Sequence, residues 1–234
     1  MLTAMPEAAV FLFDVDNTLL DNDRFRADLD GWLTRHLGAA GCARYARIYD
    51  ERRQGLGYAD YLGSIQQMRE GCEQDPRLAA LSAFVLDYPF PALLHPGALR
   101  AIAELGRAGA CALVSDGDIV FQPHKIRRAG LWDAVEGRVM VCLHKQDALG
   151  DLQRRFPAAH YVMVDDKVDV LADMKRVLSD RLTTVFVRQG HYAATADPAV
   201  RPAPDHSIGH IGALAGIDPS HLVAAASLRR EESA

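Results

Sequence analysis

Residues 10–13, Val-Phe-Leu-Phe, form an unbroken apolar run that stops on Asp14-Val15-Asp16-Asn17-Thr18. Alternate side chains of a strand share a face, so two acids at its end, one residue apart, are aimed the same way. The pattern then changes period. Phe25, Leu29, Trp32, Leu33 and Leu37 recur at three- and four-residue steps and predict a helix over 24–37. Further helices are expected over 42–53, 58–69 and 76–86, punctuated by the glycines at 55, 57 and 71. Asp75 is a fitting N-cap for the last of them, with Pro76 in its first turn.

At His95-Pro96-Gly97 the pattern changes again. Helices over 98–107, 119–129, 145–155 and 168–178 alternate with apolar strands over 110–114, 138–142, 160–164 and 182–187. Strands alternating with ten- to twelve-residue helices indicate βαβ units, hence an α/β fold whose parallel sheet is covered on both faces. The opening strand belongs to this sheet. The core is therefore expected from residues 1–21 and 92–234, with residues 22–91 inserted into it as a helical segment. Residues 193–205, rich in Pro and Ala, read as a surface loop; Asp218-Pro219 opens a last helix to about residue 229, and 230–234 read as a frayed tail.

Composition narrows the function without naming it. The chain has 234 residues, 49% hydrophobic and 24% charged, with net charge −5, so a basic surface for nucleic acid or an anionic membrane is not expected. No apolar stretch approaches the roughly 20 residues needed to span a bilayer. Met1 to Ala9 lacks a basic lead and carries Glu7, which argues against a secretory signal. Cys42, Cys72, Cys111 and Cys142 are widely spaced and fit buried free thiols in a cytoplasmic protein.

The chemistry gathers at the strand ends, where ligands bind in open parallel sheets. The first strand presents Asp14 and Asp16, the second Ser115; Lys145 follows the third, and the fourth runs into Asp165-Asp166. So many carboxylates repel one another unless a counter-charge sits among them. A hard divalent cation with oxygen ligands answers this, and Mg²⁺ suits a site that also holds phosphate. Lys145 would add a further positive charge.

These residues resemble the four motifs of the haloacid dehalogenase-like hydrolase superfamily, in order and at fitting strand ends: Asp14-Val15-Asp16-Asn17-Thr18, Ser115, Lys145, and Val164-Asp165-Asp166-Lys167-Val168-Asp169. The resemblance covers nearly the whole chain. It implies a Rossmann-like, doubly wound core with a helical cap of the family's first type. The sequence departs from the usual pattern in having Asp116 rather than Asn after Ser115, Val164 rather than Gly before Asp165, and Gln146 rather than Pro after Lys145. Lys125 is a rival for the third-motif lysine, but Lys145 follows a strand directly whereas Lys125 falls within an expected helix.

The resemblance implies a Mg²⁺-dependent phosphatase acting on a small phosphorylated metabolite. Asp14 is the expected nucleophile, forming an aspartyl-phosphate, and Asp16 the acid and base for leaving alcohol and water. Thr18 and Ser115 are expected hydroxyl donors to the phosphoryl oxygens, and Lys145 offsets their charge. The metal is expected on the Asp14 carboxylate, the Asp16 main-chain carbonyl and Asp165. Asp166 and Asp169 either assist or are solvated acids opening a helix. The arginines at 24, 26, 35, 44, 47, 52 and 53 read mostly as a solvated helix face, while 55–58 form a loop that could reach the site. A phosphomutase, a dehalogenase and a non-catalytic binding module are the alternatives. Dehalogenation releases halide and needs no proton donor, so Asp16 weighs against it.

Overall fold

A computed structural model describes residues 7–223. Strand β1 (Glu7–Phe13) lies at the centre of a six-stranded parallel sheet. The chain leaves it through helices α1 (Asn22–Leu56), α2 (Tyr61–Met68) and α3 (Pro76–Leu86), then passes through α4 (Ala98–Leu105) into β2 (Ala110–Asp116). Helices α5 (Phe121–Arg128) and α6 (Leu131–Ala134) lead to β3 (Val139–Cys142). Helix α7 (Leu149–Arg155) carries the chain back to β4 (Ala158–Asp165), on the other side of β1. Helix α8 (Val168–Leu178), β5 (Leu182–Val187), α9 (Gly190–Ala194) and β6 (His206–Ile208) complete the order β3-β2-β1-β4-β5-β6. This is the Rossmann-like strand order, and the winding direction reverses between β1 and β4.

Period-two alternation in β1 feeds two separate cores. Phe11 and Phe13 pack with Leu113, Val162, Val164 and Val185 beneath α4. Val10 and Leu12 pack with Ala112, Val114 and Met163 on the opposite face, under Leu152 of α7 and Met174 of α8. Burying each large aliphatic or aromatic side chain contributes about 1.5–3 kcal/mol, so a one-residue slip of β1 would exchange both faces at once. Register is thereby fixed, with Phe13 opposite Leu113 on one side and Val164 on the other.

Helices α1, α2 and α3 pack on one another, and aromatic rings join α1 and α2 to α5 of the core. Phe25 of α1 lies 5.3 Å from Tyr61 of α2, 5.8 Å from Phe90 and 6.0 Å from Phe121 of α5, centroid to centroid. Two helices were expected over 24–53, and α1 is two helical stretches joined across a break at Gly38, whose φ of +68° suits glycine and leaves the helical backbone there. Helix α2 begins at Tyr61 rather than at Tyr58, because the Asp60 carboxylate caps it by accepting from the Gly63 N–H. Asp75 and Pro76 open α3 as expected. Helix α7 starts at Leu149, not Lys145: residues 144–148 form turns that leave Lys145 outside the helix. Within the expected loop at 193–205, α9 extends to Ala194, and β6 follows directly after it.

All four cysteines are free, but only Cys111 is buried; the other three are half-buried. The last helix does start at residue 219, and its continuation beyond 223, like the tail, lies outside the described residues. Among the described residues no helix is long and apolar enough to cross a membrane.

Candidate active site

The β1 ladder extends one residue past the strand, where the Asp14 N–H donates to the Val164 carbonyl at 2.9 Å. The chain then turns sharply. Asn17 takes a left-handed φ of +62°, and the Leu19 and Leu20 N–H groups return to the Val15 carbonyl at 3.0 and 2.9 Å. Asn tolerates that conformation better than most residues. The turn parts the two acids that an extended strand would have kept together: Asp14 is 4% exposed beneath the site, and Asp16 faces a cavity.

Each acid has its own lysine. The fully buried ammonium of Lys145 lies between Asp14 and Asp165, 2.8 Å from the Asp165 carboxylate and in direct contact with that of Asp14. Burial works against its charge, but Asp14, Asp165 and Asp116 outweigh burial and hold its pKa well above the ordinary lysine value. The Lys145 main chain is fixed as well, its N–H donating to Asp116 at 2.8 Å. Lys125, 1% exposed, reaches from α5 to the Asp16 carboxylate. One turn earlier on the same helix, Gln122 donates to the Ser115 hydroxyl at 2.7 Å and lies 3.4 Å from Asp16.

A further acid of the buried group has no lysine bonded to it. Asp166 is fully buried, and neither of its carboxylate oxygens has a hydrogen-bond partner. Burial first, then the neighbouring Asp14 and Asp165, raises its pKa to about 9. The same causes, burial and then Asp14, raise Asp165 to about 6 although Lys145 pulls the other way. Single oxygens from Asp14, Asp165 and Asp166 lie within 4.8 Å of one another. Three hard oxygens converging in a buried place, two of them on carboxyls that resist ionisation there, form a donor set that a small divalent cation fits.

Above this layer lies a cavity of about 100 Å³. Asp16, Asn17, Asp116 and Lys167 belong to its floor; Arg26, Tyr49, Arg53, Gly57 and Tyr58 come from α1 and the loop after it; His191 and Tyr192 come from α9. The helices meet α9 through polar contacts. Asp23 accepts from the His191 N–H at 2.8 Å and faces the imidazole at 2.6 Å, and the Arg53 guanidinium donates to the Tyr192 hydroxyl. Hydrogen bonds from His191 and Asn17 hold the Asp23 carboxyl below its usual pKa against the effect of partial burial.

Residues 11–187 match the model of the haloacid dehalogenase-like hydrolase family. The chain belongs to that family. A haloacid dehalogenase-like hydrolase of Burkholderia xenovorans LB400 is 50% identical, over 91% of this chain and 100% of that one, with a TM-score of 0.84. At 17% identity, where likeness speaks for the fold alone, two further structures superpose. The magnesium-bound HAD-hydrolase YfnB of Bacillus subtilis has a TM-score of 0.60 over 92% of this chain and 98% of that one. The L-2-haloacid dehalogenase of Xanthobacter autotrophicus has a TM-score of 0.59 over 91% and 98%. No curated protein sequence matches.

In this hydrolase the residues singled out from sequence fall in two layers. Asp14, Thr18, Ser115, Lys145 and Asp165 lie in the buried layer, with the Thr18 hydroxyl unpartnered. Asp16 stands above them at the cavity. Asp166 joins the buried group instead of solvating a helix start, whereas Asp169 is exposed. Asp118 accepts from the Val120 and Phe121 N–H groups at 2.9 and 2.6 Å, and so shapes the entry to α5. Gln122 was not singled out, and Lys125 was weighed only for another lysine's place. Their spacing of three puts them on one helix face beside buried Phe121 and Ile126, and that polar pair on an apolar face was the available signal.

Proposed function

We propose that this hydrolase is a Mg²⁺-dependent phosphatase that cleaves a small phosphorylated metabolite through an aspartyl-phosphate on Asp14. In this reading Asp14 attacks phosphorus, the phosphorus–oxygen bond to the alcohol breaks, and Asp16 gives its proton to the departing oxygen. Asp16 then takes a proton from the water that cleaves the aspartyl-phosphate. Thr18 and Ser115 donate to phosphoryl oxygens, and Lys145 holds the Asp14 carboxylate in place and offsets charge. The Asp14 and Asp165 carboxylates and the Asp16 main-chain carbonyl would hold the Mg²⁺, with the buried Asp166 carboxylate beside them. When bound, the ion supplies positive charge that screens nucleophile from phosphate. The helices of residues 22–91 act as a cap that selects the leaving group and excludes water.

One observation carries the choice of phosphatase: Asp16 is turned away from the buried layer and toward the cavity, where a leaving group would sit. Alkoxide expulsion needs a proton there, and halide expulsion does not. The dehalogenases among the similar structures make halide release the rival activity. Release of inorganic phosphate from p-nitrophenyl phosphate with Mg²⁺, abolished by chelation, is the expected result. Halide release from a 2-haloacid without phosphate release would overturn the reading.

A further inference from the structure

Helix α1 carries several arginines, and their partners divide them. Arg24, Arg47 and Arg52 each have a carboxylate within 4 Å, on Asp28, Glu51 and Asp60. Arg26 and Arg53 have no such ion pair among the described residues, and both line the cavity over Asp16. Neutral phenols hold them instead. Arg26 donates to the Tyr49 hydroxyl at 2.7 Å, with its guanidinium 4.5 Å from that ring's centroid, and Arg53 donates to the Tyr192 hydroxyl.

A phenol orients a guanidinium without neutralising it. Arg26 is half-buried, so its charge is only partly answered by water. Asp30 acts on Arg26 only from beyond ion-pair range, Arg53 is open to water, and the cavity's own carboxylates, Asp16 and Asp116, pair with neither, so both guanidiniums can still take an anion. The guanidinium fork matches a carboxylate or phosphate in two parallel hydrogen bonds. The reacting phosphoryl group is not that anion, since in the proposed reaction it lies below with Asp14 and Lys145, on the far side of Asp16.

We infer that Arg26 and Arg53 form a subsite for a second anionic group, carboxylate or phosphate, on the alcohol portion of the substrate. The substrate class is then a small phosphate monoester with an acidic leaving group. The inference deepens the phosphatase reading and rests on it for where the reacting phosphate lies. The approximate order down the site is Arg26 and Arg53, the ester oxygen near Asp16, and phosphorus at Asp14.

The test compares kcat/KM for ethyl phosphate, phosphoethanolamine, 2-phosphoglycolate and ethylene glycol bisphosphate, which share a two-carbon frame and differ in the distal charge. One of the two anionic esters should exceed ethyl phosphate by about tenfold or more, the discrimination that one charge-assisted hydrogen bond supplies, with phosphoethanolamine the poorest. Whichever anionic ester leads identifies the distal group. In Arg26→Gln and Arg53→Gln that ratio should fall to within about threefold of one, while Arg53→Lys keeps part of it. The ratio is internal to each variant, so a general loss of rate does not imitate the result, and Arg53 is exposed enough for its variants to fold. Ratios near one in the wild type, or unchanged in both Gln variants, would overturn the subsite. Should the wild type hydrolyse no phosphate ester, the phosphatase reading fails and calorimetry with malonate in metal-free buffer decides the subsite separately. Malonate bound by the wild type and Asp14→Asn but not by the Arg variants upholds it; absent binding, or equal binding by all four, overturns it.

Discussion

Lys125 of α5 holds the carboxylate of Asp16 in an ion pair whose lysine is almost wholly buried and whose acid keeps 31% of its side-chain surface exposed. The pair joins two segments more than a hundred residues apart and fixes the one acid that stands at the cavity rather than under it. Lys125→Met leaves a carboxylate that water can still reach, so the loss of stability is expected near 1–3 kcal/mol, below the cost of a fully buried orphan charge. The larger effect is on geometry. Single-turnover transfer from an alkyl phosphate should fall about 10- to 100-fold, while transfer from p-nitrophenyl phosphate falls much less. Equal losses for both would leave Lys125 a packing residue.

Asp16→Asn separates the two acids by the same comparison. Alkyl phosphates should be severely impaired in the transfer step, since an amide cannot protonate an alkoxide. An aryl phosphate with an acidic phenol should transfer at a near-normal rate and then accumulate phosphoenzyme, visible as a burst. Absence of the burst with slow transfer for both substrates would remove Asp16 as the acid.

Asp14→Asn should lower turnover by roughly four orders of magnitude or more, as expected when a nucleophile is lost. The fold should survive because Lys145 keeps its 2.8 Å partner Asp165. Circular dichroism and steady-state phosphate release check the two halves of this expectation.

Asp166 should give the metal-free protein an inverted pH dependence. Its folded pKa of about 9 lies above the roughly 3.9 of an unfolded Asp, so the folded state binds the extra proton between those values. Its contribution to stability is therefore most favourable below about pH 4 and is lost progressively as pH rises toward 9. Thermal unfolding of wild type and Asp166→Asn should diverge in that window, with the variant gaining on the wild type as pH increases. Added Mg²⁺ should narrow the gap by stabilising the wild type more than the variant. Parallel melting curves at pH 5 and pH 9 would contradict this account.

Much of the scaffold was legible because periodicity and composition agreed. The helix over 168–178 and the strand over 182–187 are bounded by apolar patterns whose ends coincide with turns, and both match the structure to the residue. Asp14, Lys145 and Asp165 were legible as a group because each stands at or just past the end of a strand, and a parallel sheet gathers such ends. Their closeness is geometry that the ladder enforces, as in the Phe13–Val164 register. Asp16 was placed with Asp14 by strand alternation, and that inference lapsed where the strand did. The turn at Asn17 sends Asp16 to Lys125, a partner no local pattern names. Gly190 was equally silent: a Cβ there would lie 2.5 Å from that of Asn17, an approach between the start of α9 and the turn after β1, 173 positions apart. Arg26 and Arg53 were hidden among arginines that share their helix, because only the partners distinguish them.

The seam between helices α1 and α2 and the rest of the molecule is unlike on its two sides. Rings of Phe25, Tyr61, Phe90 and Phe121 close one side, and the other is closed by Asp23 with His191 and Arg53 with Tyr192. Ions in solution weaken charged and exposed contacts over a Debye length of about 8 Å at physiological strength, and they leave apolar contact intact or strengthen it. Salt should therefore act as a one-sided lever: raising it frees the α9 edge while the aromatic edge stays shut. If the helices move as the proposed cap, the chemistry of the rim would set the edge at which the site opens, and ionic strength how often it does so.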